Sequence, residues 1–257
     1  MRHNAVKEKL RRGETALGTM VFEFRTPGTA RIAAAAGAEF VIFDTEHTGW
    51  TAETTAALIA SARGTDAVPL VRVPAARSWF IAQALDAGAM GVMVPMVETA
   101  GQARAVVDAV KYPPAGRRGA AFGIAHDDYL AGADTVATMD SANNETLVIV
   151  QIETREGAKN LADIATVDGV DVLWIGHFDL TNSLGIPGQF GHPEYLGVLD
   201  RCAEAARANG KSAGFMASSV DEARSYIERG FRAIAYWGDL WIYGRALHDA
   251  LSALRAT

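Results

Sequence analysis

A chain of 257 residues, 49% hydrophobic and 21% charged, has the make-up of a soluble globular protein and the length of one (β/α)₈ barrel, which takes about 250 residues. A formal net charge of −6 excludes a general binder of nucleic acid or of an anionic membrane, both of which require a basic face, and leaves small anionic ligands open. A single cysteine, Cys202, excludes an internal disulfide and a cysteine-built metal cluster, in keeping with an intracellular setting.

In chain order, Met1 to Glu14 is charged and lacks the apolar core of a signal peptide. No later stretch reaches the roughly 18–20 consecutive apolar residues of a spanning helix, so a cytoplasmic location is expected. Eight strand-like runs follow: Ala16–Phe22, Phe40–Phe43, Val68–Val71, Gly91–Val94, Leu147–Ile152, Val172–Ile175, Ser212–Phe215 and Ala233–Tyr236. Short apolar runs bounded by turn residues read as strands buried on both faces, the mark of a parallel sheet. Between them lie helical segments, among them Pro27–Ala36, Thr51–Arg63, Thr99–Val110, Pro193–Asn209 and Ser219–Glu228. Pro27 and Pro193 suit a first helical turn, Ser219 with Glu222 reads as a capping box, and Gly37, Gly210 and Gly230 suit helix ends. Eight strand–helix alternations favour α/β architecture closed into a (β/α)₈ TIM barrel, one domain over residues 1–257. The one break is Tyr112–Thr146, expected to be a long functional or interfacial loop starting at the lower face of the barrel.

The reactive residues stand directly after the apolar runs, where parallel barrels place their chemistry. Asp44-Thr45-Glu46-His47 follows the second run, Arg72 the third, Gln151-Ile152-Glu153 ends the fifth, and Gly176-His177-Phe178-Asp179 follows the sixth. Glu153 and Asp179, on successive strands, suit a hard cation that keeps waters, Mg²⁺ or Mn²⁺ or else Co²⁺; a helix N-cap and a salt-bridge partner are the alternative. His47 beside carboxylates suits a general base or a hydrogen-bonded structural group. Arg72 suits a carboxylate clamp or enolate stabiliser, or else a structural ion pair with Asp44 or Glu46. His3, His192 and His248 fall in surface or helical segments, and Asp86, near a helix end, reads as a solvated charge. No lysine ends a strand, which argues against a Schiff-base aldolase, and Gly214 and Gly238 signal phosphate only weakly.

Taken together, Asp44-x-Glu46-His47, Val71-Arg72, Val94-Pro95-Met96-Val97, Tyr112-Pro-Pro-Ala-Gly116 with Arg118-Gly119, Gln151-Ile-Glu-Thr-Arg-Glu-Gly157 and Gly176-x-x-Asp179-Leu180 resemble the HpcH/HpaI aldolase family of class II pyruvate-dependent aldolases. The resemblance runs from Leu17-Gly18 through the eighth strand. It implies divalent-metal-dependent, reversible aldol cleavage of a 4-hydroxy-2-oxo acid to pyruvate and an aldehyde through a pyruvate enolate. It gives His47 the role of base, Arg72 that of enolate stabiliser, and Glu153 and Asp179 that of metal ligands. Gln151 and the backbone at Phe178 would contact the 2-oxo acid, with Asp179 and Arg72 beside them. Asp86 matches the position that raises the basicity of the histidine, from the same or a neighbouring subunit, and Asp44 would share that work. An exchanged last helix and a homo-oligomer, a hexamer or trimer of dimers, are implied as well. The chain departs from the family's usual Gly-Pro-(Ala/Ser)-Asp-Leu at His177-Phe178, a bulky pair expected to narrow or reshape the pocket, and at Thr45 and Ala125–Tyr129. An oxaloacetate decarboxylase and a non-catalytic 2-oxo-acid-binding barrel, its pocket plugged by His177 and Phe178, stay open.

Overall fold

The computed structural model describes residues 2–130, 132 and 134–256. Its strands are β1 (Ala16–Val21), β2 (Phe40–Asp44), β3 (Val68–Arg72), β4 (Gly91–Val94), β5 (Leu147–Ile152), β6 (Val172–Ile175), β7 (Ser212–Ala217) and β8 (Phe231–Gly238). Each pairs in parallel with the next, and β8 returns to β1, closing a (β/α)₈ barrel. Around it run α1 (Ala5–Arg11), α2 (Thr29–Ala35), α3 (Ala52–Ser61), α4 (Ser78–Asp86), α5 (Ala100–Val110), α6 (Thr135–Glu145), α7 (Arg155–Lys159), α8 (Leu161–Ala165), α9 (His177–Ser183), α10 (Pro193–Ala208), α11 (Val220–Glu228) and α12 (Asp239–Arg255). None of the described helices is long and apolar enough to cross a membrane.

Because side chains alternate along a strand, each apolar run feeds two cores. One set, including Val41, Phe43, Val71, Val150, Leu173 and Phe215, packs against the surrounding helices. The other, including Met20, Phe40, Ile42, Leu70, Met93, Ile149 and Trp174, fills the barrel interior. Helix α1 closes the lower end of that interior with Val6 and Leu10. It is tied there by Asn4, whose Nδ2 donates to the carbonyl of Met90 at 3.1 Å, and by Lys7, whose Nζ donates to Asp171 at 2.9 Å.

Several expected boundaries shift. Gly28 caps α2, so Pro27 lies outside the helix. Ser219 Oγ accepts from the Glu222 amide, yet the Glu222 carboxylate turns to the amide and hydroxyl of Ser218, which leaves the expected capping box half made. Gly214 lies within β7, packed on the Trp174 ring, and Gly238 ends β8 against Phe22 and Trp241, so close packing accounts for both glycines. The expected long loop is partly helical: α6 is capped by Asp134, and only Ala142 of its residues is buried, so the sequence there carries no apolar stripe to reveal it. The helix-end glycines Gly37, Gly210 and Gly230 do adopt positive φ, at 95°, 64° and 101°.

Phe40, 2% exposed, fills the interior against Gly18. Phe40→Ala is expected to cost about 3–5 kcal/mol, read as a lowered urea midpoint at unchanged m-value.

Candidate active site

The interior alternation continues past the strands to the upper mouth. After Phe40 and Ile42 the next inward position is Asp44; after Val68 and Leu70 it is Arg72; after Leu147 and Ile149 come Gln151 and Glu153; after Val172 and Trp174 comes Gly176. Strand geometry alone therefore turns two carboxylates, a guanidinium and an amide toward the upper mouth of the barrel.

Asp44 and Arg72 are register partners on adjacent strands. The Asp44 carboxylate, fully buried, accepts from Arg72 Nε at 2.6 Å and from the amides of Glu46 at 3.2 Å and His47 at 2.9 Å. Arg72 Nη1 lies 3.2 Å from Glu46 Oε2, and His47 Nε2 lies 3.7 Å from the same oxygen, which makes no hydrogen bond. Asp44 thus holds the arginine and the backbone under the histidine, while the carboxylate facing the His47 ring is that of Glu46. The ion pair open as an alternative for Arg72 exists, with both acids. His47, with 57% of its side chain exposed, is free to meet a ligand from above.

Glu153 is 1% exposed. Its Oε1 accepts from the Met96 amide at 2.7 Å and its Oε2 from Gln151 Nε2, while Gln151 Oε1 is buried without a partner. Met96 reaches Glu153 because its backbone is left-handed, φ 57°, an unusual state for a non-glycine residue. A side chain at Gly176 would overlap the Glu153 carboxylate and the Gln151 amide, so glycine is required there. Asp179, in the first turn of α9, is near enough for its charge to act on both Glu46 and Glu153. Burial raises the Glu46 carboxyl to about 7, opposed by Arg72 and reinforced by Asp44 and Asp179. Burial likewise raises Glu153 to about 7, with Glu46 and Asp179 adding to the shift.

A divalent cation fits this site. Crowded, desolvated carboxylates and an unpartnered amide oxygen at the mouth are what a hard cation with oxygen ligands neutralises. Among the described residues no three His, Cys, Asp or Glu side chains converge as a ready-made cage, so the protein would supply few ligands and leave positions to substrate and water.

Other expected residues lie elsewhere. The Asp86 carboxylate accepts from Arg118 Nη2 at 2.6 Å, so within one chain it pairs with this arginine. The His177 ring lies 5.2 Å from Phe215 and 5.4 Å from Phe190, both of the outer layer, so it fills helix packing instead of plugging the mouth. Burial lowers its pKa. Phe178 is 60% exposed beside Phe190. His192 caps α10 through Nδ1, a structural role. A cleft of about 100 Å³ lined by Trp50, Val71 and Phe80 lies in the helix layer and takes only Thr45 from the Asp44–His47 segment. Three residues without an expected role matter here: Glu46, visible in its motif; Met96, whose role is backbone; and Asp239, whose carboxylate accepts from the amides of Phe22, Glu23 and Phe24.

Comparison with known proteins follows this geometry. A family model described as HpcH/HpaI aldolase/citrate lyase matches residues 20–241. A 2-keto-3-deoxy-L-rhamnonate aldolase of Salmonella dublin is 34% identical over 253 residues, 98% of this chain and 94% of that protein. The crystal structure of an HpcH/HpaI aldolase from Desulfitobacterium hafniense DCB-2 matches with TM-score 0.93 at 29% identity, over 100% of this chain and 98% of that one. An HpcH/HpaI aldolase/citrate lyase family protein from Burkholderia cenocepacia J2315 matches with TM-score 0.91 at 31% identity, over 98% and 99%.

The raised Glu153 pKa has a stability consequence. The folded protein holds a proton that the unfolded chain releases between about 4.5 and 7, so metal-free stability falls as pH rises through that window and the penalty is complete above it. Glu153→Gln removes the penalty, and Gln151 can turn its unpartnered oxygen toward the new amide. In chelator the variant is expected to melt roughly 2–4 °C above the wild type at pH 8 and within 1 °C at pH 4.5, on the order of 1 kcal/mol for a chain of this size.

Proposed function

The chain belongs to the HpcH/HpaI aldolase/citrate lyase family and is a carbon–carbon lyase, and on that premise we propose that it carries out reversible aldol cleavage of a 4-hydroxy-2-oxo acid to pyruvate and an aldehyde. The observation that carries this reading is the arginine locked in place by Asp44 at the upper mouth, near enough to Glu153 for its charge to act on that carboxyl.

Glu153 and Asp179 would hold the divalent cation, Mg²⁺, Mn²⁺ or Co²⁺. When bound, the cation supplies Lewis-acid polarisation of the 2-oxo group. Gln151, through the second N–H of its side-chain amide, and the backbone at Phe178 orient the oxo acid. His47, working through an intervening water, takes the proton of the C4 hydroxyl as the C3–C4 bond breaks. Glu46, facing its ring, supports the charge that the imidazole acquires. Arg72 points its remaining N–H groups at the enolate oxygen. That charge appears mainly in the transition state, where a fixed donor contributes most.

In a single chain α12 buries none of its residues and exposes Tyr243, Leu247, Leu251 and Leu254 at helical spacing. This supports exchange of α12 with a second copy, in a hexamer or trimer of dimers. Asp86 would then serve His47 of a neighbouring subunit, with Arg118 holding it. The setting proposed is cytoplasmic, and residues 1–257 are read as one barrel domain.

Arg72→Ala is expected to lower kcat for retro-aldol cleavage on the order of 10²- to 10³-fold with the fold intact by circular dichroism. EDTA should abolish turnover and Mn²⁺ restore it in the wild type but not in Glu153→Ala; full activity in EDTA would sink the metal assignment. Leu247→Glu with Leu251→Glu is expected to reduce the mass seen by light scattering to that of smaller assemblies.

A further inference from the structure

Asp86 stands where a helix disfavours an acid. It is the last residue of α4, at the carbonyl end of the helix dipole, and the last turn of α4 holds no basic residue to offset it. Helix α4 follows β3 and ends just before β4 begins at Gly91, which puts Asp86 at the lower end of the barrel, away from the mouth of its own chain. Its side chain is 34% exposed, so the carboxylate is open to a group from outside the chain.

The compensating cation is Arg118. Its Nη2 donates to Asp86 Oδ1 at 2.6 Å, and its side chain is 1% exposed. Its Nε makes no hydrogen bond, so the rest of the hold comes from a ring: the guanidinium carbon lies 4.7 Å from the centroid of Tyr112, which is fully buried. A cation over an aromatic face is held more strongly when both are out of water.

The backbone fixes both partners. Asn143 of α6 accepts from the Tyr112 amide at 2.7 Å and donates to the Tyr112 carbonyl at 3.1 Å. The turn that follows folds back on the end of α5: the amides of Gly116, Arg117 and Arg118 donate to the carbonyls of Tyr112, Asp108 and Lys111 at 3.1, 2.7 and 2.9 Å. A side chain at Gly116 would run into the carbonyls of Lys111 and Asp108, so the turn closes only with glycine there. Contacts therefore run without a break from Asn143 through Tyr112 and Arg118 to Asp86.

We propose that Arg118 and Tyr112 are positioning residues of the aldol reaction: Tyr112 clamps the guanidinium, and Arg118 fixes the Asp86 carboxylate so that it faces His47 of a second copy of this chain. The inference rests on the aldolase reading above and on Asp86 supporting that histidine. Within its own chain the His47 ring faces Glu46, which Arg72 also engages. Asp86 adds a second acid, whose effect on the imidazole depends on a fixed distance.

The test is kcat and KM for retro-aldol cleavage of 4-hydroxy-2-oxopentanoate, the adduct of pyruvate and acetaldehyde, from about pH 5 to about pH 9. The Mn²⁺-loaded wild type is compared with Asp86→Asn, Arg118→Lys, Tyr112→Leu and Tyr112→Phe, each checked by circular dichroism and light scattering. A carboxylate beside a histidine raises its proton affinity, so losing it moves the acidic limb of kcat to lower pH and leaves a weaker base. Asp86→Asn is expected to show both effects. Arg118→Lys keeps the charge but loses the planar fork and the stacking. It is expected to move the limb the same way by about half a unit or more and to lower kcat roughly tenfold, with KM within about twofold. Tyr112→Leu is expected to follow it, and Tyr112→Phe, which retains the ring, to restore the wild-type profile. Should Arg118→Lys fail to fold, the two Tyr112 variants decide alone. A limb that moves in Asp86→Asn but stays in place in folded Arg118→Lys and Tyr112→Leu overturns the positioning role and leaves the aldolase reading standing. A limb unmoved in all four variants overturns the role of Asp86 as well. Absence of turnover in the wild type overturns the aldolase reading on which both depend.

Discussion

The site hangs on one buried carboxylate. Asp44, with no solvent exposure, joins the guanidinium of the next strand to the backbone of its own turn through Arg72 Nε and the amides of Glu46 and His47. A buried charge is tolerable only when paired and hydrogen-bonded, and this one is both. Its position follows from the barrel: Asp44 and Arg72 are in register, each one step beyond the last apolar inward residue. The strand pairing that closes the fold is therefore the same feature that aims the arginine.

Around that anchor the mouth concentrates negative charge. Glu46 and Glu153 are desolvated, and Asp179 acts on both. Such crowding works against the metal-free fold and is of the kind that a bound divalent cation relieves. Gly176 and the left-handed Met96 are the backbone devices that permit it: the first leaves room beside Glu153, and the second turns an amide toward it. Opposite, Phe22 and Met216 pack on the interior core, and Asp239 stitches the β1–β8 seam through the Phe22 amide.

Much of this was legible in the sequence. Strands buried on both faces appear as uninterrupted apolar runs, so all eight were found within a few residues of their observed ends, and the residues after them marked Asp44, Arg72, Gln151, Glu153 and Asp179. What stayed hidden has physical reasons. Helix α6 buries only Ala142 and so carries no apolar period. The direction of the His177 ring depends on Phe190 and Phe215, which come from other elements. Asp239 acts on amides 215–217 residues earlier in the chain, a pairing that exists only once the barrel closes. Met96 contributes a backbone amide, which no side-chain pattern announces.

The most direct test of the account is the rate of solvent deuterium exchange into the methyl group of pyruvate by Asp44→Asn beside the wild type, both loaded with Mn²⁺ and both checked for native circular dichroism. An amide at position 44 can still accept from Arg72, but it cannot accept from Arg72 and both turn amides while carrying the charge that fixes the guanidinium. The account predicts that exchange falls by roughly 10²-fold or more, the scale on which a misplaced enolate stabiliser is felt. Exchange at the wild-type rate in a folded Asp44→Asn protein would contradict it.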